Sequence, residues 1–535
     1  MGHPFPSSND QQWNLSGSPV EWFGDSSPAE SRGAQMLENF WSQQPSGLDP
    51  LVRDMLEIWL AGVQAVTPAA LVRNKIHQDG NWLVIDDQIE INLSATDRLI
   101  VVGAGKASAG MASELHKQIF QHWTPSHKTP RVMGWINAPQ GTFKGTLPGI
   151  HLHAARPAGV NLPTIAAVEG TERILQLVES AGHKDVVLSL MSGGGSALLV
   201  APAPGVSLQD KQAVAQCVAA SGGDIRQLNS IRRCLSRVKG GGLARASRAG
   251  QLISLVISDV LGDPLDLIAS GSTVMDPPAD AHEALGVVSD LKLIGDPRLQ
   301  PVVAYLQNMN PKGLTKNVVP MKSTQDQLAG SLCSIVPHRD AALVPVSQIE
   351  NIILGNNADA VDAAGVKAVQ LGYRYVMQSA RQPEGDVADV ARVGLQALRQ
   401  LHQQSEVDCW ISGGEPTVVL PSDGVGKGGR NQQLVLSLLK SVLSSGDSLI
   451  SGDSEWAFMS AGTDGEDGPT PAAGAWISSQ SLNAVHGNQN DIADHHRRAD
   501  AFHYFQQHGG LLITGPTGTN VCDLRIAIRS QLLHR

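Results

Sequence analysis

The segment DRLIVVGAGKASAG, residues 97–110, passes from an apolar run through a glycine turn into a helical pattern. An apolar run followed by a glycine or acidic turn occurs again at residues 185–195, 252–264, 407–416 and 456–468. Strands that end in such turns and alternate with helices are typical of a parallel α/β sheet. Because ligands of these sheets bind at the carboxyl ends of the strands, the turns mark the candidate site.

Length and composition limit the kind of protein. A chain of 535 residues is too long for one ordinary core, which predicts two or three domains. With 42% hydrophobic residues the composition is globular, and a formal net charge of −10 argues against a general nucleic-acid binder. No apolar run reaches membrane-spanning length, and the five dispersed cysteines indicate reduced thiols. We therefore expect a cytoplasmic protein without nucleic-acid or membrane partners, for which a homodimer stays open.

The pattern changes along the chain in two places. Residues 1–45 are polar and rich in Ser, Pro and Gly, which predicts a disordered tail. The helical spacing of Leu51, Met55 and the apolar residues after them predicts ordered structure from about residue 50. Prolines recur in the middle of the chain, and we expect a connecting region at 301–350. Folded parts are therefore expected before and after this region.

The first glycine turn resembles two phosphate loops and matches neither. A P-loop requires glycine where Ile100 stands, and a dinucleotide fingerprint requires glycine where Ser108 stands. The chain also has no Asp or Glu between Glu114 and Glu169, which argues against NAD binding. Gly103 and Gly105 would still bring backbone close to a cofactor. At the predicted helix start, Lys106 either holds transferring phosphate oxygens or is a solvated lysine beside a packing turn.

The turn SGGGS, residues 192–196, is not a hydrolase nucleophile elbow, because Leu198 replaces the last glycine of that motif. The four residues Gly193, Gly194, Gly195 and Ser196 are predicted to bind an anion through consecutive backbone N–H groups. A tight turn without a ligand is the alternative. Whether such an anion is a nucleotide phosphate or a substrate carboxylate stays open.

Acidic residues follow other predicted strands. Asp259 ends one of them, and the group Asp464, Glu466 and Asp467 ends another. Carboxylates in such places suit Mg²⁺ or the proton of an alcohol, although acids are also common in glycine-rich turns for conformational reasons. Glu415 lies in a further glycine turn and is a candidate for cofactor binding.

A basic glycine loop, GVGKGGRNQQL, precedes a predicted helix that Asn431 would cap. Gly428 and Gly429 would let the loop approach a cofactor closely. Arg430 stands at the predicted helix start, where a planar guanidinium binds phosphate or carboxylate with two hydrogen bonds. The loop therefore supplies a second candidate cation beside Lys106.

Eight segments occur in one order: GAGKASAGMA, LSLMSGGGSALL, LSRVKGGGLA, ISDVLGDPLDLIASGSTV, ISGGEPTVVL, GKGGRNQQL, GTDGEDGPTPAAGAW and GPTGTNVCDL. Together they resemble the class II glycerate kinases that carry a C-terminal MOFRL domain. The resemblance begins near residue 50 and reaches the C-terminus. It implies an α/β fold of two domains, with a Rossmann-like, mostly parallel N-terminal domain at 50–300, a MOFRL-containing domain at 351–535, and the active site in the cleft between them.

The resemblance also implies a reaction. Such kinases use ATP and Mg²⁺ to phosphorylate D-glycerate, most often at the 2-hydroxyl, which gives 2-phosphoglycerate. Lys106 and Arg430 match the family's cations, and Asp259 and Asp464 fall on its strand-end aspartates as catalytic and metal-binding candidates. Departures at Ser272, Gln433 and Pro471 bear on substrate and rate. The alternatives are a hydroxypyruvate reductase type of oxidoreductase, a kinase for another 2-hydroxy acid, and a catalytically weak nucleotide-binding relative.

Overall fold

The computed structural model describes residues 30–31, 35, 38–120, 129–157, 162–275, 279–309, 348–404, 406–445, 455–485 and 489–530. A first sheet contains six parallel strands: β1 (Arg98–Ala104), β2 (Arg131–Pro139), β3 (Ile150–Arg156), β4 (Val186–Met191), β5 (Gln251–Ile257) and β6 (Gln348–Gly355). Their order in the sheet is β3-β2-β1-β4-β5-β6. This is the order of a Rossmann sheet, and it confirms the predicted fold class.

Helices cover the apolar strands of this sheet. All six residues of β4 are buried, as expected of a central strand with covered faces. Local signals set the helix ends: the side chain of Thr164 caps Ile165–Glu179, and Ser207 and Asp210 form a capping box. The helices of this part are Pro50–Ala65, Pro68–Lys75, Ser108–Phe120, Ile165–Glu179, Gly195–Leu198, Leu208–Ala220, Ile225–Cys234, Gly242–Ala246, Ala281–Asp290 and Gln300–Met309, with 3₁₀ turns at Phe40–Gln43, Ile268–Ser270 and Pro297–Leu299.

The second sheet is mixed. Its strands are β7 (Tyr375–Ser379), β8 (Cys409–Gly414), β9 (Trp456–Gly462), β10 (Ala472–Ser478), β11 (Leu511–Ile513) and β12 (Asp523–Arg529), in the order β7-β8-β12-β9-β10-β11. Only β7 and β8 are parallel neighbours. The mostly parallel arrangement expected for the N-terminal domain is confined to the first sheet, and here β9 returns directly into β10 as an antiparallel pair. The helices of this part are Asn357–Gln370, Val387–Gln403, Arg430–Ser445, Ser479–Val485, Gln489–Arg497 and Ala501–His508.

Two smaller sheets flank the main ones. Three antiparallel strands, Ile76–Asp79, Trp82–Ile85 and Ile89–Asn92, precede β1. The short strand Glu30–Ser31 pairs antiparallel with Phe143–Lys144. The pair at Glu30–Ser31 lies inside the segment that composition predicts to be disordered.

The beginning of the chain packs on its end. The helix Pro50–Ala65 contacts β9, β12 and the helix Asn357–Gln370 of the second sheet. The fit is close, because a Cβ on Gly62 would lie 2.8 Å from both the carbonyl oxygen of Ala360 and Cδ1 of Leu524. The strand β6 hydrogen-bonds within the first sheet although it crosses the boundary expected at residue 350. The domain limits 50–300 and 351–535 stay predictions.

The end of the expected tail is also folded. Phe40 is fully buried and stacks on Trp59 with 6.0 Å between the ring centroids. The polar composition of residues 1–45 gave no indication that Phe40 would be buried. Most of the remaining tail, and residues 310–347 of the expected connecting region, lie outside the described residues.

Among the described residues, no single helix is long and apolar enough to cross a membrane. The helices Pro50–Ala65 and Pro68–Lys75 reach that length and composition only as a pair, and they are bent by 56°. Nine residues of Pro50–Ala65 are buried within the fold.

Candidate functional site

The loops after β1 and β4 lie side by side, because these strands are neighbours where the strand order reverses. The backbone amide of Lys106 donates to the carbonyl oxygen of Gly193 (2.9 Å), and the amide of Ala107 donates to Oγ of Ser192 (2.9 Å). A Cβ on Gly105 would lie 2.1 Å from that same Oγ, so glycine is required there. Ligands of open α/β sheets bind at such a reversal, which places both predicted anion loops where a binding site is expected.

The SGGGS turn is closely surrounded by protein atoms. Gly194 has a φ of 75°, a conformation that favours glycine. A Cβ on Gly193 would lie 2.4 Å from Oδ2 of Asp259, and one on Gly195 would lie 3.0 Å from the carbonyl oxygen of Ala104. The close approaches at these glycines therefore come from a strand-end carboxylate and from the end of β1.

Two other residues predicted to bind a cofactor have structural partners. Gly103 lies within β1, where a Cβ would be 2.5 Å from the carbonyl oxygen of Leu190, so strand packing alone requires glycine. Oγ of Ser196 lies 2.9 Å from Oγ of Ser270. A role of either residue in cofactor binding stays a prediction.

Lys106 connects the loop after β1 of the first sheet to the turn after β9 of the second. Its Nζ lies 2.9 Å from Oδ2 of Asp464 and 3.0 Å from Oε2 of Glu466, and both carboxylates follow β9. Burial lowers the pKa of Lys106, but the two carboxylates outweigh it and the pKa is raised above 10.5. The lysine is therefore charged at neutral pH and neutralises part of an acidic edge.

Arg430 begins the helix Arg430–Ser445 and is held by carboxylates at the edge of the second sheet. Its Nε and Nη2 lie 2.7 Å and 2.9 Å from the two carboxylate oxygens of Asp523, which is fully buried. Its Nη1 donates to Oε1 of Glu415 at 2.7 Å. Burial lowers the pKa of Arg430, but Asp523 and Glu415 reverse this and raise it. The bidentate pair fixes the plane of the guanidinium.

Asp259 lies between these two groups of charges. Its Oδ2 is 3.4 Å from Nδ2 of Asn520. Burial, and next the negative charge of Glu415, raise the pKa of Asp259 to about 6, while Lys106 opposes the shift. The structure thus brings together five residues predicted from the sequence: Lys106, Asp259, Glu415, Arg430 and Asp464.

A buried carboxylate occupies the N-terminus of the helix Arg430–Ser445. The side chain of Asp467 accepts hydrogen bonds from the backbone amides of Asn431 (3.1 Å) and Gln432 (2.8 Å). Burial raises the pKa of Asp467 to about 6, although these two amides oppose the shift. The prediction that Asn431 caps the helix is wrong, because a residue from the turn after β9 does so.

The glycines before Arg430 accommodate this packing. A Cβ on Gly429 would lie 2.2 Å from Cγ of Asp467, and one on Gly428 would lie 3.1 Å from the carbonyl oxygen of Ala499. Their predicted contact with a cofactor stays a prediction, and internal packing already explains why both are glycine.

Sequence reasoning missed three residues of the site. Asp523 lies at the start of β12, whereas we expected site residues at the ends of parallel strands. Asn520 precedes it in the segment GPTGTNVCDL, which entered the sequence analysis only as one of the eight motifs. Arg156 ends β3, which no glycine or acidic turn marked, and its Nη2 would lie 3.0 Å from a Cβ on Gly194. Burial lowers the pKa of Arg156, and Glu466 partly offsets this effect.

A cavity of about 330 Å³ opens beside this array of charges. Its lining includes Val260, Asp263, Asn356, Arg381 and Cys522. The thiol of Cys522 donates to the carbonyl oxygen of Asp259 at 3.2 Å, which places the cavity next to the array. In the part of the chain that the structure describes, no three His, Cys, Asp or Glu side chains are grouped to hold a metal ion.

Comparison with known proteins identifies the family. The chain matches the domain of unknown function DUF4147 over residues 54–307 and the MOFRL family over residues 408–523. It is 33% identical to the glycerate kinase of Mus musculus, with 89% of this chain and 93% of that protein aligned. The chain belongs to the glycerate kinase family. The resemblance of the eight motifs is thereby confirmed.

Two further relatives of the chain are informative about its fold and its function. The crystal structure of the glycerate kinase of Thermotoga maritima is similar with a TM-score of 0.66 and 27% identity, covering 89% of this chain and 99% of that one. An Agrobacterium vitis protein named "Putative hydroxypyruvate reductase" is 34% identical, covering 80% of this chain and 98% of its own. The family therefore includes proteins named after two different reactions.

Proposed function

We propose that the chain transfers the γ-phosphoryl group of ATP to D-glycerate, at the 2-hydroxyl, and so produces 2-phosphoglycerate and ADP. One observation carries this proposal: Lys106, at the reversal point of the first sheet, bonds to Asp464 and Glu466 at the edge of the second. Charged groups of both sheets therefore meet at one place, where a small acid and a nucleotide can be held together. The glycerate kinase names of the relatives support the choice of substrates.

The cations suit phosphoryl transfer. Its transition state spreads negative charge over the phosphate oxygens, so catalysis consists mainly of positioning and charge neutralisation. Lys106 would exchange its contacts with Asp464 and Glu466 for phosphate oxygens. Arg430 donates two hydrogen bonds to Asp523 and one to Glu415. A guanidinium has five N–H donors, so two remain for a substrate oxygen.

The carboxylates fit Mg²⁺ bound together with a nucleotide. Proteins usually hold Mg²⁺ through one or two carboxylates, with substrate phosphates and water as the other ligands. Asp259 and Asp464 would supply these carboxylates, and the raised pKa of Asp259 shows that its charge lacks compensation. When bound, Mg²⁺ neutralises charge that develops on the phosphate oxygens. The cavity beside Asp259 offers room for one of the substrates.

A coupled assay of ADP release tests the proposal. We expect turnover with D-glycerate, ATP and Mg²⁺, little turnover with L-lactate, and loss of turnover in excess EDTA. Phosphorus NMR of the product should show 2-phosphoglycerate. Full turnover in EDTA, or 3-phosphoglycerate as the product, would contradict the corresponding part of the proposal.

Reduction of hydroxypyruvate is the second candidate, because one relative carries that name. Against it stand Ser108 in place of the third glycine of a dinucleotide fingerprint and the absence of an acid between Glu114 and Glu169. We expect no oxidation of NADH or NADPH when hydroxypyruvate is added. Tight NADH binding in a calorimetric titration would reverse this preference.

A further inference from the structure

A buried basic cluster adjoins the SGGGS turn, and the proposal above gives its lysines no role. Lys239, of the motif LSRVKGGGLA, is 3% exposed, and its Nζ donates to the carbonyl oxygen of Ser196 (3.2 Å) and to Oγ of Ser270 (3.1 Å). Lys211 is 7% exposed and donates to the carbonyl oxygen of Leu235 (2.9 Å). One buried lysine therefore contacts a turn that was predicted to bind an anion, and a second lies near enough to the first to lower its pKa.

The charged forms of the basic groups in this cluster are disfavoured in the absence of an anion. Burial, then Arg232, then Lys211 lower the pKa of Lys239, so the charged groups that act on it are cations. Among the described residues, no carboxylate pairs with Lys239, Lys211 or Arg232. Buried cations in folded proteins normally have an anionic partner. The missing partner would be supplied by a bound anion.

A buried amide donor adds an independent observation. Asn229 is 2% exposed, and its Oδ1 accepts from Oγ of Ser270 at 3.1 Å. Its Nδ2 has no hydrogen-bond partner in the described part of the chain. Leaving a buried donor unsatisfied is costly, and native proteins rarely do so without a functional reason. Lys239 and Asn229 both contact Oγ of Ser270, so the side chain that carries this free donor lies beside the lysine.

The backbone holds the cluster in a strained conformation. The amide of Gly240 donates to the carbonyl oxygen of Ser270 at 2.9 Å. Ala269 and Ser270 have φ values of 48° and 58°, which non-glycine residues rarely adopt. Such strain is concentrated at binding and catalytic sites. A Cβ on Gly195 would lie 3.2 Å from Cβ of Ala269, so this turn packs directly on the SGGGS turn.

We propose that Asn229, Lys239, Ser196 and Ser270 form an anion subsite that binds the carboxylate group of the hydroxy-acid substrate. The SGGGS turn separates this cluster from the loop of Lys106, whose backbone amide bonds to Gly193. Two anionic groups can thus be held on opposite sides of one turn, with the carboxylate at Lys239 and the transferring phosphoryl group at Lys106. This inference rests on the proposed function, because it assigns one end of the same substrate.

Replacement of Lys239 separates binding from turnover. For Lys239→Met we expect the KM for D-glycerate to rise by about 10- to 100-fold, with little change in the KM for ATP, since a charge-assisted hydrogen bond is lost. Lys239→Arg should restore part of the affinity. Lys117→Met is the control, because Lys117 pairs with Glu114 on the helix Ser108–Phe120, outside the basic cluster, and it should keep the KM of the wild type for D-glycerate. An unchanged KM for D-glycerate in folded Lys239→Met would overturn the subsite.

A second variant keeps the test decisive if Lys239→Met does not fold. Asn229→Asp places a carboxylate among the buried cations with almost no change of shape. We expect its melting temperature, without ligand, to equal or exceed that of the wild type, because the new charge compensates the cluster. Binding of D-glycerate should be lost, because the internal carboxylate occupies the subsite. Affinity for D-glycerate equal to that of the wild type in calorimetry would refute the proposal.

Calorimetry with the wild type also separates this proposal from the proposed function. If D-glycerate binds to the wild type and not to Lys239→Met, but no phosphorylation occurs, the subsite stands and the kinase proposal fails. If phosphorylation occurs, and Lys239→Met weakens the binding of ATP and inorganic phosphate but not the binding of D-glycerate, the kinase proposal stands. The cluster would then be a nucleotide site and the assignment to the carboxylate would be wrong.

Discussion

The two cations of the candidate site are held in different ways. Lys106 extends from the first sheet, and both of its partners, Asp464 and Glu466, belong to the second. Arg430 lies at the second sheet and pairs with Asp523 and Glu415 of the same sheet. Lys106 therefore ties the two halves of the molecule together through partly exposed carboxylates, whereas Arg430 is part of the internal structure of one half. Substitutions at the two positions should consequently affect turnover and stability in different proportions.

Lys106→Met should have the largest effect on turnover. We expect kcat to fall by about 10²- to 10³-fold, because one preorganised charge at the transferring group is lost. The melting temperature should change little, since the lost ion pairs are partly exposed and such pairs contribute little to stability. Steady-state kinetics and thermal denaturation measure the two effects.

Lys117, an exposed lysine that pairs with Glu114, provides the control for Lys106→Met. Lys117→Met likewise removes one positive charge, but from the helix Ser108–Phe120 and away from the site. This variant should keep wild-type kinetics. A kcat of Lys106→Met within a few-fold of the wild type would remove Lys106 from the proposed mechanism.

Arg430→Lys should lower both stability and turnover. Lysine keeps the charge but cannot make the bidentate contact with the fully buried carboxylate of Asp523. We expect the free energy of unfolding to fall by about 1–3 kcal/mol, because a charged group is left incompletely hydrogen-bonded. Urea denaturation and kinetics on one preparation test this. A variant as stable as the wild type with a much lower kcat would mean that Arg430 is held no more firmly than Lys106.

Lys106 and Arg430 both pair with carboxylates, whereas Lys211 is a buried lysine with no carboxylate partner among the described residues. Burial, and then Arg232, lower its pKa from 10.5 to about 7. Between pH 7 and pH 10.5, Lys211 holds its proton in the unfolded chain but has lost it in the folded protein. The free energy of unfolding of the wild type should therefore rise with pH in this range. Relative to Lys211→Met, we expect a slope of up to about 1.4 kcal/mol per pH unit. Urea denaturation at several pH values from 7 to 10, in a buffer of weakly binding anions, measures the slope. Parallel curves for the two proteins would show that Lys211 stays charged.

The smallest effect should come from the contact between the sheets. In a double-mutant cycle of Lys106→Met and Glu466→Gln, we expect a coupling of about 0.2–1 kcal/mol in the free energy of unfolding, because the pair is partly exposed. Glu466→Gln alone should leave the fold intact. A coupling above about 2 kcal/mol would indicate that this contact holds the two sheets together, and that Lys106 has a structural role comparable to that of Arg430.

The sequence was sufficient for the first sheet and for the main charged residues. Apolar runs that end in glycine locate strands and their carboxyl ends, and these ends carry Lys106 and Asp259. The direction of a strand cannot be read from such a run, because a hairpin and a crossover can begin with the same glycine turn. For this reason the antiparallel β12 and its first residue, Asp523, were missed.

Contacts between distant segments account for the other differences. A local pattern suggested Asn431 as a helix cap, but the group that caps the helix, Asp467, comes from another turn. The glycines of the SGGGS turn correctly indicated a close approach. The sequence could not show that the approaching groups include the carboxylate of Asp259, since only the folded chain brings the two loops together.

The contact between the first long helix and the last strand has a consequence for biosynthesis. The helix Pro50–Ala65 packs against the helix Asn357–Gln370, β9 and β12, and β12, which lies between β8 and β9 in the sheet, is translated last of these. At about 5–20 residues per second, the helix waits for its contact with β12 for roughly half a minute to a minute and a half. A chain that stops before residue 523 lacks a central strand of the second sheet and part of the surface on which the helix Pro50–Ala65 packs. We therefore expect that part of the helix to be buried only after β12 has been made.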